Sequence, residues 1–289
     1  MYRNPGFKLD LKFITDDRFR KLDAIFSMFG QGSLPEPVKE FPSFFGKDVY
    51  LSSRIFEASV SIPKKQSIWN VCFDENPEKE IEKPEYAEIV SMLDNLDVHL
   101  EKENDNFFNE LKRTISDSFS QKMEEIEKSI WEIFKMNLPK RIVIILDKHN
   151  IKTGSHGQKL AINKDMSVIG YRIGELALKR DRNEPASVLL HELLHCLFSR
   201  YNIIADKNKR QFEEAVLRYF APYGLLTKRL GLEKPNARGT YMDQLKGACS
   251  PEMIKRLNEI IPKYAEAADN EDFWEFLSKS ELKSYINRI

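Results

Sequence analysis

The spacing of hydrophobic positions changes several times along the chain, and each change marks an element. Residues 19–29 repeat at helical spacing and stop at Gly30-Gln-Gly32, while Leu34-Pro-Glu-Pro37 and Phe41-Pro-Ser43 read as loop. Residues 49–62 and 67–73 are rich in strand formers. The charged stretch 74–84 carries two prolines and reads as a solvated connection, with an acidic docking patch as its functional alternative. Helical period returns over 85–99 and 104–136 and is ended by Pro139. Arg141-Ile-Val-Ile-Ile-Leu146 suits a buried strand, Gly154-Ser-His-Gly157 a turn, and Met166–Ile173 a second, weakly alternating strand. A strongly apolar helix then starts near Asn183, which can cap it, with Pro185 in the first turn, where its missing N–H costs nothing. Residues 210–220 form another helix, stopped by Pro222 and Gly224. From 252 to 289 the period is again helical, and Ile254, Leu257, Ile260, Ile261, Phe273, Trp274, Phe276 and Leu277 either close a core or shape a substrate wall.

This order predicts an α+β fold in two parts: a mixed N-terminal region, residues 1–105, without a recognisable motif, and a domain over 106–289. A chain of 289 residues with 42% hydrophobic content can supply a real core. Basic and acidic residues number 45 each, so the net charge is zero and the basic footprint of a nucleic-acid binder is missing. The cysteines Cys72, Cys196 and Cys249 are odd in number and far apart, which excludes a disulfide framework and reads as reduced thiols. No apolar run is long enough to span a bilayer and the first residues hold no signal-peptide pattern, so a soluble chain made in the cytoplasm is expected. Signal-less secretion as an effector or toxin is compatible with this; oligomeric state is not legible.

The chemistry lies in the apolar helix, where His191-Glu192-Leu-Leu-His195 sets two histidines four apart around a glutamate. Residues i and i+4 share a helix face, so two imidazoles can close on one tetrahedral ion. Glu192 lies about 100° round the helix from His191, where its carboxylate can reach a metal-activated water as general base without being a ligand. A chain with five histidines should contain this pattern by chance about 0.01 times, and H-E-x-x-H is the arrangement of zinc hydrolases. Leu190, Leu194 and Leu197 form the expected buried face, with the histidines on another.

A catalytic zinc takes three protein ligands and keeps a fourth position open. Position 198 is Phe, position 201 is Tyr, and no histidine follows His195, so a third histidine on the pattern H-E-x-x-H-x-x-G-x-x-H is excluded. The helix Arg210-Gln-Phe-Glu213-Glu214-Ala-Val-Leu-Arg-Tyr-Phe220 offers two glutamates. On the helix wheel Glu213 lies at the margin of the apolar arc and Glu214 nearly opposite, and a ligand facing a neighbouring helix fits either place. Here the chain resembles the gluzincin metallopeptidases, the thermolysin-like and aminopeptidase-like enzymes. In that family a glutamate on a second helix, about twenty residues after the motif, completes a His-His-Glu zinc site. The resemblance covers the order of elements over roughly 123–226 and some ten residues of motif. It implies a zincin-like domain, one zinc ion per chain held by His191, His195 and Glu214, with Glu213 as alternative to Glu214, and Met166–Ile173 either as the sheet edge that borders a peptide cleft or as a plain strand. One turn beyond Glu214 the family's supporting aspartate is replaced by Arg218, so orientation of the imidazoles must come from elsewhere.

The expected reaction is peptide-bond hydrolysis by an endopeptidase on a protein or peptide substrate, with Glu192 moving the proton. Charge developing on the carbonyl oxygen needs a further donor, for which Tyr241 is the first candidate, followed by Tyr223, His156 and Arg238. His99 and His149 have no identifiable partner. An aminopeptidase would need acidic groups for the free amine and shows no Gly-Ala-Met-Glu-Asn pattern here. A regulatory or sensor protein with a zincin-like domain, active only on cue or inert, is the reading from another class; retention of Glu192 argues against an inert site.

Overall fold

The computed structural model describes residues 9–31, 68–95, 105–148, 155–163, 165–174, 178–179, 183–198, 207–222, 224–232, 250–267, 273–280 and 282. They fall into two compact units that interleave along the chain, one of residues 10–109 and 141–175, the other of 1–9, 110–140 and 176–289. The sequence places its one boundary near residue 105. Residues 141–175, however, group with the N-terminal part, because β-pairing joins strands distant in sequence.

The first unit contains β1 (Asp10–Ile14), α1 (Asp17–Gln31), a 3-10 turn (Ile68–Phe73), α2 (Pro77–Glu80), a 3-10 turn (Pro84–Tyr86) and α3 (Ala87–Asn95). It also holds β2 (Arg141–Lys148), β3 (Ser155–Ile162) and β4 (Met166–Ile173), and the sheet order is β1-β2-β4-β3. β1, β2 and β4 are parallel; β3 runs antiparallel to β4, with an irregularity between Lys159 and Ala161. The mixed α/β character of the expected fold is present. Several local expectations are corrected. Met166–Ile173 is an inner strand, bonded on both sides, so it cannot border a cleft as an edge. Residues 155–157, read as part of a turn, begin β3: Ser-His-Gly-Gln-Lys has little strand propensity, and the ladder to β4 overrides it. Likewise residues 68–73 form a 3-10 turn rather than a strand, and the charged connection contains α2, whose first residue Pro77 is buried and whose cap is Asn76. The strand-rich stretch 49–62 lies outside the described residues.

Burial on both faces explains the uninterrupted run in β2, where Ile142 to Leu146 are all buried. α1 is fastened to the sheet by charge. Arg20 on α1 donates from Nη2 to Asp147 Oδ1 on β2 at 2.9 Å, and Arg172 on β4 donates from Nη2 to Asp23 Oδ2 on α1 at 2.5 Å. Asp23 lies directly over Gly170, where a Cβ would overlap its carboxylate, so glycine there makes room for the ion pair.

The second unit is helical among its described residues. α4 (Asp105–Phe134) belongs to it from Glu110 onward, followed by α5 (Glu184–Phe198), α6 (Lys207–Phe220), α7 (Leu225–Arg229), α8 (Pro251–Ala267) and α9 (Phe273–Lys279). α5 starts where Asn183 and Pro185 predict, and the Asn183 carbonyl accepts the Ser187 N–H at 3.0 Å. It is buried all round rather than on one leucine face: every residue from Glu184 to Cys196 is buried, and Leu197 is only half-buried. Its surroundings converge on Phe134 at the end of α4. That ring packs edge-on against Phe198 of α5 (4.9 Å), Phe220 of α6 (4.8 Å) and Phe273 of α9 (5.1 Å). Tyr264 of α8 joins through Phe273, and its hydroxyl donates to the Phe134 carbonyl at 3.2 Å. The C-terminal aromatic and aliphatic stripes therefore close a core around the ends of α5 and α6. Among the described residues no helix is long and apolar enough to cross a membrane.

Candidate metal centre

α5 and α6 bring three side chains to one point. His191 and His195 lie one turn apart on α5, their rings 4.7 Å apart and nearly perpendicular. Their Nε2 atoms are 3.2 Å from each other, and Glu214 Oε2 of α6 lies 3.1 Å from Nε2 of His195 and 3.5 Å from Nε2 of His191. A tetrahedral zinc with ligands at 2.0–2.2 Å requires ligand atoms about 3.3 Å apart. The triangle matches that edge on all three sides, and two imidazoles with one carboxylate suit a borderline divalent ion. His191, His195 and Glu214 are the group among the described residues that could hold a metal.

Both imidazoles are anchored through their other nitrogen. His191 Nδ1 donates to the Ala221 carbonyl at 2.8 Å, and His195 Nδ1 donates to Glu213 Oε1 at 2.8 Å. Glu213 is thus outside the triangle, on the far side of the His195 ring from Glu214. The Ala221 carbonyl is placed by the tight turn after α6. There Gly224 returns so close to Tyr219 that a Cβ would overlap the Tyr219 carbonyl. Arg218 donates from Nε to the outer oxygen Oε1 of Glu214 at 2.6 Å, leaving Oε2 directed at the histidines.

The electrostatics favour positive charge at the centre. Burial pushes the His195 imidazolium toward losing its proton, but hydrogen bonds to Glu213 and Glu214, together with the charge of Glu192, outweigh it and raise the group to about 9. Burial would raise the Glu214 carboxyl, yet its bonds to His191 and His195 hold it far below the usual carboxylate range. A cation bound at the triangle would occupy the place these carboxylates give to a proton.

Glu192 is buried on α5 beside His191. Tyr241, Tyr223, Arg238, His99 and His149 lie outside the described residues, as does the side chain of His156. Three contributors escape a reading of the motif alone: Glu213 as partner of His195, the Ala221 carbonyl, and Arg218 as partner of Glu214. The position of Glu213 at the margin of the apolar arc was the available sign that it is buried. No family model matches the chain, and neither the curated proteins nor the solved structures include one that matches it.

Proposed function

We propose that the chain is a zinc-dependent hydrolase of peptide bonds, an endopeptidase of gluzincin type acting on a protein substrate. The observation that supports this reading most is the triangle of His191 Nε2, His195 Nε2 and Glu214 Oε2, with Glu192 buried next to His191 on the same helix. A zinc ion held there supplies Lewis acidity, which makes a water nucleophilic near neutral pH and polarises the substrate carbonyl. The residues of the chain do the rest. His191 and His195, anchored at Nδ1, present Nε2 lone pairs to the centre; Glu214 supplies one oxygen while Arg218 holds the other. The Glu192 carboxylate takes the proton from the attacking water and returns it to the leaving amine, and Tyr241 is the proposed donor to the charge that develops on the carbonyl oxygen.

Metal content and proteolysis of an unstructured protein substrate, measured on wild type, E192Q and E214Q, test the reading. E192Q should keep one zinc and lose hydrolysis by a factor on the order of 10²–10⁴, the usual contribution of a general base. E214Q should lose the zinc. An active E192Q, or a wild type without tightly held metal, would overturn the proposal.

A further inference from the structure

We propose that Glu213 is the positioning residue for His195, so that one imidazole is held on both nitrogens by two consecutive residues of α6. The inference rests on the metal-centre reading and concerns what aims the ligand rather than the reaction. His195 Nδ1 lies 2.8 Å from Glu213 Oε1 and Nε2 lies 3.1 Å from Glu214 Oε2. An imidazole ligates through the nitrogen that carries no proton, and an ionised carboxylate is an acceptor only. With a cation at the centre, the carboxylate at Nδ1 would keep the proton there and leave Nε2, the atom that faces Glu214 and His191, as the ligating nitrogen.

Burial makes this hold effective: Glu213 is 2% exposed, against 35% for the side chain of Glu214, so little water competes for the Nδ1 proton. The two ligand histidines are held unequally. His191 has a backbone acceptor, the Ala221 carbonyl, at the same 2.8 Å, whereas the acceptor for His195 is a carboxylate oxygen. A charge-assisted bond is stronger and makes the imidazole a better donor to a cation. Arg218 stands one turn beyond Glu214 and serves that carboxylate instead. The task of supporting an imidazole thus falls to the residue just before the ligand glutamate.

The test uses the full chain: zinc affinity by competition with a chromogenic chelator, and the ring tautomers of the zinc-loaded protein by long-range ¹H–¹⁵N spectra. E213Q can still accept through its amide oxygen and should bind zinc about 10-fold more weakly; E213A leaves Nδ1–H without an acceptor and should lose about 100-fold. The hydrogen-bonded Nδ1–H resonance of His195 should be present in wild type and absent in E213A, while that of His191 persists. A structural role alone would lower the melting temperature of the metal-free protein without moving these readouts. If E213A fails to fold, the isosteric E213Q carries the comparison. Affinities of E213Q within twofold of wild type, with an unchanged ring spectrum, overturn the proposal. A wild type that binds no zinc removes the metal-centre reading itself, a result distinct from either.

Discussion

Phe134 packs against both helices that carry the candidate metal centre. Its ring is 1% exposed and meets Phe198, Phe220 and Phe273 edge-on at 4.8–5.1 Å. Phe198 is three residues past His195, and Phe220 precedes Ala221, whose carbonyl receives His191. Truncation by F134A removes the transfer energy of the ring and leaves a cavity, costing about 3–5 kcal/mol for a buried Phe. Aromatic pairs add roughly 0.5–1.5 kcal/mol each beyond area, and three are lost together, so the upper part of the range is expected. At ~2–4 °C per kcal/mol for domains of 150–250 residues, the melting temperature should fall by roughly 8–20 °C. Urea and thermal unfolding of the metal-free protein followed by far-UV circular dichroism would measure it, and F134L should recover more than half of the loss. Zinc affinity, taken where the variant is still folded, should fall as well, because α5 and α6 lose their shared anchor. A loss below about 1 kcal/mol, or an F134L no better than F134A, would refute the view that this ring joins the two helices.

Two further predictions concern the first unit. G170A should destabilise it by about 1–3 kcal/mol, as overpacking does, because the new methyl must displace Asp23 from Arg172; if G170A melts with wild type, the closeness of that contact is wrong. Asp16 precedes α1 and accepts the Arg18 backbone N–H at 2.9 Å, so D16A should cost about 1 kcal/mol. Burial alone would raise the Asp16 carboxyl, but its hydrogen bonds to Arg18 outweigh this and lower it. A lowered carboxyl stabilises the fold fully above the unfolded value of about 3.9 and loses that contribution as pH falls through the folded one. The gap between wild type and D16A in denaturant titrations should be complete at pH 7 and close below about pH 4; a constant gap would show that the charge plays no part.

Much of this molecule is legible in short windows of sequence, for a reason that also marks where legibility ends. The 3.6-residue period places α4, α5 and α6, because hydrophobic spacing and capping at Asn183 and Pro185 act within a few residues. The same period stacks His191 over His195 and sets Glu192 beside them. It also yields two glutamates on α6 without choosing between them. Strands are less local: β3 forms from a sequence with little strand character because β4 offers it a ladder, and Met166–Ile173 lies inside the sheet because β3 covers its outer side.

Helix geometry converts spacing directly into direction, so residues 191–195 alone set two imidazoles one turn apart on one face with Glu192 beside them. Tertiary structure alone decided the rest: that Glu214 meets both Nε2 atoms while Glu213 takes His195 Nδ1, that a carbonyl at Ala221 anchors His191, and that Arg218 holds the outer oxygen of Glu214. Neighbouring residues on a helix point about 100° apart, and which of two such directions meets the histidines depends on how α6 lies against α5. That arrangement follows from the packing of Phe134, Phe198, Phe220 and Phe273, residues spread over four helices, which no local window contains.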